Sequence, residues 1–118
     1  MEYQRGSFHR HEEIKAQILS HPEIVGIDKK DIISIETEYP LTRRKRSVVA
    51  RPDIVIIYQS NRDIKKRFIE IKSGSCRRAI FNLETQLRKI TNYLKRNKTE
   101  GEVVGVYPLE NTLMLLTI

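Results

Sequence analysis

Two carboxylates and one ammonium group are spaced in this sequence so that they could meet in the folded chain. Glu70 and Lys72 lie two positions apart in an apolar segment, and Asp53 opens another apolar segment that runs to Tyr58. Residues two apart on a strand project from the same face, so Glu70 and Lys72 are predicted to share one. Buried charges of this kind cost desolvation energy unless something pairs with them, which points to a functional role.

Converging carboxylates repel each other, and a hard divalent cation such as Mg²⁺ or Mn²⁺ would relieve that repulsion. Such a site suits phosphodiester hydrolysis, because the cation neutralises phosphate charge and lowers the pKa of water. Lys72 could hold that water or stabilise the charge that develops on the phosphate. The carbonyl of Ile71, between the two side chains in sequence, could be a further oxygen ligand.

The order of these residues resembles the motif of the PD-(D/E)xK nuclease superfamily, which includes restriction endonucleases, archaeal Holliday-junction resolvases and repair exonucleases. Arg51-Pro52-Asp53 provides the first half, and Glu70-Ile71-Lys72 follows, with Glu70 seventeen positions after Asp53. The resemblance covers about Phe8 to Tyr107. It implies an α/β, restriction-endonuclease-like α-β-β-β-α-β core with a mixed sheet flanked by helices. It also implies that Asp53 and Glu70 bind the metal and that Lys72 is catalytic.

Two further features of the superfamily have candidates in this chain. Many members add a glutamate from the first helix, and we favour Glu12 over Glu13 because Glu12 lies nearer the apolar stripe; a carboxylate that complements the helix dipole is the alternative. Some members carry a glutamine and a tyrosine on the second helix. Gln86 and Tyr93 are seven apart, a longer spacing than the Q-xxx-Y of the repair exonucleases. We expect Gln86 to approach the site and Tyr93 to be a packing residue.

The surrounding pattern predicts the elements that would position these residues. Apolar residues at helical spacing predict two helices, and short apolar runs bounded by turn residues predict strands. The two motif strands are expected to form a hairpin, and a helix between later strands predicts a mixed sheet with helices packed on it. The predicted helices are Phe8–Ser20 and Arg77–Arg96, and the predicted strands are Asp31–Tyr39, Asp53–Tyr58, Arg67–Lys72, Val103–Tyr107 and Leu113–Ile118.

Positive charge is concentrated in the middle of the chain. The net charge is +7, and residues 42–98 hold 17 Lys and Arg against four Asp and Glu. A solvated basic surface would account for this, but so concentrated a zone is the usual footprint of a phosphate-backbone partner. We expect DNA as that partner, recognised through its backbone and shape, because no base-reading motif is visible. The residues predicted to grip it are Arg43, Arg44, Lys45, Arg46, Arg77 and Arg78.

Composition limits the remaining classes. The 118 residues predict a single domain, and one cysteine excludes an intrachain disulfide or a four-cysteine zinc site within the chain. No apolar stretch predicts a transmembrane helix and no signal-peptide core is visible, so we expect a cytoplasmic protein without membrane contact. His9, His11 and His21 are expected to be solvated. The apolar end Leu113–Ile118 could be a core strand or part of a homodimer interface.

The sequence thus favours a Mg²⁺- or Mn²⁺-dependent deoxyribonuclease, with endonuclease action expected. Two alternatives remain open: a nucleic-acid-binding protein that keeps the fold without catalysis, and an accessory subunit that binds a protein partner. The choice between DNA and RNA, and the preferred DNA structure, are not fixed by the sequence.

Overall fold

The computed structural model describes residues 2–42 and 48–118, with side chains from residue 8 onward in those ranges. Within them the chain forms two α-helices and seven strands, joined in part by short 3₁₀ turns. In chain order these are α1 (Glu2–Ser20), β1 (Ile32–Thr37), β2 (Leu41–Thr42), β3 (Val48–Ala50), β4 (Ile54–Ser60), β5 (Asp63–Ile71), α2 (Arg77–Arg96), β6 (Glu102–Leu109) and β7 (Thr112–Leu116).

Five of these strands form one sheet in the order β1-β4-β5-β6-β7, and β2 and β3 pair separately. Strands β4 and β5 are an antiparallel hairpin, as predicted, in register from Ile54 opposite Ile69 to Ser60 opposite Asp63. Strand β6 runs parallel to β5 because α2 carries the chain back between them, and the other pairs are antiparallel. The prediction of a mixed sheet in an α/β protein is therefore confirmed.

Each face of the sheet has its own apolar core, because side chains alternate along the strands. On one face, Ile14 and Ile18 of α1 pack in a cluster with Ile54, Ile69 and other buried side chains of β4, β5 and β6. On the opposite face, Ile90 and Leu94 of α2 pack in a cluster with side chains that include Val55 and Phe68, together with Leu41 and Ala50 of the β2–β3 hairpin. The sheet is thus flanked by one helix on each side.

A glycine lets α2 approach the sheet closely. Leu83, Leu87, Ile90 and Leu94 form the buried stripe of α2. A Cβ added at Gly105 of β6 would lie 2.9 Å from the Leu83 side chain, inside van der Waals contact. Gly105 is also the register partner of Glu70. The first half of α2 is therefore seated over the part of the sheet that carries Glu70.

At the opposite end of the sheet, Arg67 ties three strands together. Its Nη2 atom donates to the Tyr58 hydroxyl and to the Glu102 carboxylate, each at 2.9 Å. Tyr58 donates to the same carboxylate at 2.7 Å, and Arg67 Nη1 donates to the Val25 carbonyl. These bonds join β4, β5 and the start of β6, and they help to fix the register on which the site depends.

Several boundaries differ from the sequence-based expectation. Helix α1 begins at Glu2 instead of Phe8, and β5 begins four residues earlier than predicted, at Asp63. The early part of β5 is exposed and charged, so periodicity did not reveal it. The two-residue strand β2 and its partner β3 were not predicted, since neither is long enough to show a period. The basic residues Arg43, Arg44, Lys45 and Arg46, predicted to grip DNA, fall outside the described residues.

The last strand forms an edge of the sheet. Strand β7 pairs with β6 alone, and Met114 and Leu115 are exposed, at 36% and 47%. Over the described residues, neither helix is long and apolar enough to cross a membrane.

Candidate active site

Asp53 stands where the β4–β5 ladder ends, and its side chain continues the pairing. The last strand pair is Ile54 with Ile69, and Asp53 Oδ2 then accepts a hydrogen bond from the Ile71 backbone N–H at 2.7 Å. Asp53 is only 8% exposed, the one polar or charged residue buried to this extent in the described part of the chain. Pro52 before it is also buried. The carboxylate is therefore held by backbone geometry and does not swing freely.

Glu70 meets Asp53, as the sequence predicted. The two carboxyl groups hydrogen-bond to each other, which requires a proton on one of them. Burial, followed by the hydrogen bond and the charge of Asp53, raises the pKa of Glu70 to about 9. Burial also acts to raise the pKa of Asp53, but its bonds with His11, Glu70 and the Ile71 N–H outweigh that and lower it. Glu70 therefore carries the proton and Asp53 the negative charge.

Lys72 follows Glu70 on the same side of the chain, just past the end of β5. Its backbone N–H donates to the Val106 carbonyl at 2.9 Å, which extends the pairing with β6 by one residue. The Lys72 ammonium is close enough to oppose the rise in the pKa of Glu70, without overcoming burial. The positive charge of Lys72 thus acts on Glu70, on the side of β5 that the two-residue spacing predicted.

The Ile71 backbone faces the same site. The N–H and C=O of a strand residue point to the same edge of the strand, and the Ile71 N–H points to Asp53. The Ile71 carbonyl is therefore on the Asp53 side of β5, while its side chain lies in the core on the α1 face. This orientation suits the predicted oxygen donor.

His11 also belongs to this cluster, and the expectation that it would be solvated was wrong. Its Nε2 atom lies 3.1 Å from Asp53 Oδ1, and its Nδ1 atom lies 3.2 Å from Glu12 Oε2. The hydrogen bond with Asp53 is the largest of the effects that raise the pKa of His11, and burial only partly opposes them. His9 and His21 are exposed, as expected.

A sequence signal for His11 was present in the spacing of α1. His11 precedes the fully buried Ile14 and Ile18 by three and seven positions, so it continues their stripe along the helix. A histidine on the buried side of a helix faces neighbouring elements, and here it faces the end of β4. The polar residues around it concealed this pattern.

Glu12 reaches the site only through His11. Its side chain is 49% exposed, and its hydrogen bond in the described structure is with the His11 ring. Glu13, the alternative, points to Arg10, with Nη1 and Oε2 3.6 Å apart. The first helix therefore contributes His11 directly and Glu12 behind it.

Gln86 and Tyr93 lie on one side of α2. The Tyr93 hydroxyl donates to the Thr42 carbonyl at 3.0 Å, so this side faces the β2–β3 hairpin. Gln86 is half-buried, two turns closer to the start of the helix. Among the described residues, no hydrogen bond joins Gln86 to Asp53, Glu70 or Lys72.

The predicted basic residues are placed in part. Arg77 and Arg78 are exposed in the first turn of α2, which begins five residues after Lys72 and so starts at the same end of the sheet. Backbone N–H groups of that turn are also available to an anion. Arg43, Arg44, Lys45 and Arg46 lie outside the described residues.

The donor set fits a hard divalent cation. In the described part of the chain, no group of three or more His, Cys, Asp and Glu side chains is arranged to hold a metal. Two carboxyls and a backbone carbonyl are nevertheless oxygen donors of the kind that Mg²⁺ combines with several waters. A cation would take the place of the proton between Asp53 and Glu70, because a proton and a cation each remove the repulsion between the two carboxylates.

Comparison of this chain with protein-family models, with curated proteins and with solved structures gives no match. Its functional interpretation therefore depends on its own geometry and chemistry.

Proposed function

We propose that this chain is a metal-dependent nuclease that hydrolyses DNA phosphodiester bonds, with Mg²⁺ or Mn²⁺ held by Asp53 and Glu70. The proposal is carried by one observation: at the end of adjacent strands Asp53 accepts a hydrogen bond of 2.7 Å from the N–H of Ile71, which brings its carboxylate to Glu70, and burial together with Asp53 raises the pKa of Glu70 to about 9. Burying such a pair costs desolvation energy, and carboxyls with strongly shifted pKa values cluster at functional sites.

The topology supports a restriction-endonuclease-like core as part of this proposal. Helix α1, strands β1, β4 and β5, helix α2 and strand β6 follow each other in the order α-β-β-β-α-β, with the β2–β3 hairpin inserted after the first strand. Asp53 precedes the second strand of that series, and Glu70 lies on the third. This is the placement that the resemblance to PD-(D/E)xK nucleases implies.

Asp53 is the fixed member of the pair. Its Oδ2 atom is held by the Ile71 N–H and its Oδ1 atom by His11, so the carboxylate is oriented before any ligand arrives. Glu70 is the adaptable member, since it can exchange its proton for a cation. A bound cation supplies positive charge at the scissile phosphate and lowers the pKa of water.

Lys72 is proposed to act on the reaction itself. Its ammonium acts electrostatically on Glu70 and would hold the attacking water or stabilise charge that develops on the phosphate oxygens. Gln86 is proposed to reach the site from α2, and the Ile71 carbonyl is proposed as a further oxygen donor. His11 positions Asp53, and Glu12 orients the His11 ring from behind.

The surroundings of the site favour a polyanionic substrate. Arg77 and Arg78 are exposed at its end of the sheet, and the net charge of the chain is +7. A surface with this charge attracts a phosphate backbone from a distance and raises the rate of encounter. With no base-reading motif, we propose endonuclease action directed by DNA shape.

The test is cleavage of labelled DNAs (duplex, single strand, flap and four-way junction) with Mg²⁺, with Mn²⁺ and with a chelator. Wild type should cut at least one of them with metal alone, and Asp53→Ala and Lys72→Ala, purified identically, should cut none. Binding without cutting by the wild type would support a non-catalytic nucleic-acid-binding protein in its place. Equal cutting by all three proteins would assign the activity elsewhere.

A further inference from the structure

Helix α2 has two polar sides that flank its buried stripe. One position before each stripe residue lie Asn82, Gln86, Lys89 and Tyr93, and one position after lie Glu84, Arg88, Thr91 and Lys95. The hydrogen bond from Tyr93 to Thr42 shows that the first set faces the β2–β3 hairpin. Together with Arg78 and Arg96 at helical spacing, that set is named here the hairpin-side row: Arg78, Asn82, Gln86, Lys89, Tyr93 and Arg96.

The hairpin-side row is basic and has amide groups between its charges. Arg78, Lys89 and Arg96 are exposed cations, and none of them has an ion-pair partner among the described residues. The row has no acidic member. On the opposite side, Arg88 is drawn to Glu84, with Nη2 and Oε2 3.5 Å apart. Among the described residues Lys95 on that side is unpaired as well, so the hairpin-side row differs in having three exposed cations and no carboxylate, against two cations and one carboxylate opposite.

A cleft lies between this row and the β2–β3 hairpin. It has a volume of about 360 Å³ and is lined by Lys89, Asn92, Tyr93, Arg96 and Asn97 from the helix and its C-terminal cap, and by Thr42 and Val49 from the hairpin. Two of these lining residues, Tyr93 and Thr42, are joined by a hydrogen bond across the cleft. Ammonium, guanidinium and amide donors around this cleft match the oxygen atoms of a phosphodiester.

The row leads away from the candidate active site. Arg78 is in the first turn of α2, at the end of the sheet that carries Lys72, and Arg96 is at the other end of the helix. The distance between them along the axis is about 27 Å, from a rise of 1.5 Å per residue. Several consecutive phosphates of one strand could therefore follow the helix.

We infer that the hairpin-side row is a second nucleic-acid contact, which binds the sugar–phosphate backbone of the DNA beyond the cleavage position. The inference rests on the proposed function for the class of its ligand. It assigns to Lys89 and Arg96 a sequence-independent role, in which each neutralises a phosphate and releases a counterion.

The test compares two double variants with the same change in charge on one helix. Lys89→Gln with Arg96→Gln alters the row, and Arg88→Gln with Lys95→Gln alters the opposite side as the matched control. Binding of a fluorescent DNA duplex is measured by anisotropy in a chelator, so no cleavage occurs, over a range of salt concentrations. Thermal melting establishes that both variants are folded.

We expect the row variant to bind about tenfold more weakly at 0.1 M salt and to lower the salt slope by about two, since each lost phosphate contact contributes about 0.9. The control should stay within about twofold of wild type. Equal losses in both variants, or no loss in either, would overturn the inference. If the wild type never cuts DNA but the row variant alone binds DNA more weakly than wild type, the nuclease proposal fails and the inference that the row contacts DNA stands. If the wild type cuts DNA and the row variant binds DNA as tightly as the control variant, the nuclease proposal stands and the inference about the row fails.

Discussion

The backbone N–H of Ile71 donates a hydrogen bond of 2.7 Å to Asp53 Oδ2, so a side chain completes the pairing of two strands at the candidate site. This bond couples the motif to the sheet, because the position of β5 sets the orientation of the Asp53 carboxylate. It also makes asparagine the informative replacement at this position. The amide oxygen of asparagine can accept the same bond, while the charge that would hold a cation is removed.

The raised pKa of Glu70 predicts a stability cost at high pH that glutamine would remove. The folded pKa is about 9, above the value near 4.5 of an unpaired glutamate. Stability from this group is therefore fully present below about pH 4.5 and is lost as the pH rises through 9. Without metal, Glu70→Gln should melt on the order of 5 °C above wild type at pH 8.5, and close to wild type at pH 5.

The control for that experiment is Glu84→Gln, which removes a carboxylate from the surface of α2. It should keep the pH dependence of wild type. If Glu70→Gln and wild type show the same melting curve at every pH, the carboxyl pair does not share a proton.

Metal binding should release the proton of Glu70. At pH 7.5 the carboxyl is protonated, and a cation held by both carboxyls displaces that proton. Calorimetric titration with Mn²⁺ in two buffers of different ionisation enthalpy should give release of about one proton per ion. Glu70→Gln should release none and bind more weakly. Tight binding by wild type without proton release would contradict the proposed ligand pair.

His11 is predicted to stabilise the fold over a limited pH range. The pKa of Asp53 is lowered in the folded state, so the stability that Asp53 contributes is lost as the pH falls through its folded pKa. The pKa of His11 is raised, so the stability that His11 contributes is lost as the pH rises above 6.5 and through its folded pKa. His11→Ala should therefore cost most near pH 5–6, about 1 kcal/mol for a partly exposed charged hydrogen bond. Chemical denaturation at pH 5.5 and pH 9 measures this.

His9→Ala provides the comparison, because His9 is exposed two positions earlier on the same helix. It should change stability little at either pH. An equal loss from His11→Ala at both pH values would mean that the ring contributes by packing alone.

The close approach of α2 to the sheet predicts that Gly105 does not tolerate a side chain. The added Cβ of Gly105→Ala would lie 2.9 Å from Leu83, which is fully buried and has little room to move. We expect a loss of about 1–3 kcal/mol in the free energy of unfolding and reduced cleavage, since Glu70 is the neighbour of Gly105 across the strands. Gly74→Ala is the control, because its Cβ would meet nothing within 4 Å.

How far the sequence could predict the site depended on how each contact is encoded. Asp53, Glu70 and Lys72 could be predicted to converge, because strand periodicity and one hairpin determine their relative positions. His11 could not be placed in this way, because its contact with Asp53 joins residues 42 positions apart on elements that are not neighbours in sequence. Its place on the buried stripe of α1 was the available signal.

The fold shows the same division. Helix α2 and the hairpin of β4 and β5 were predictable because long amphipathic and apolar segments determine them. Strands β2 and β3, of two and three residues, form only because Leu41 and Ala50 are buried against the α2-side core. Such short elements depend on tertiary packing and carry no pattern of their own.

The most direct test of the account separates metal binding from chemistry at one site. Cleavage of the preferred DNA and the rise in melting temperature on adding Mg²⁺ or Mn²⁺ are measured for wild type, Asp53→Asn and Lys72→Gln. We predict that Asp53→Asn loses both responses, and that Lys72→Gln keeps the metal-dependent rise while cleavage falls by at least about a hundredfold. Cleavage by Asp53→Asn at the wild-type rate would contradict the account.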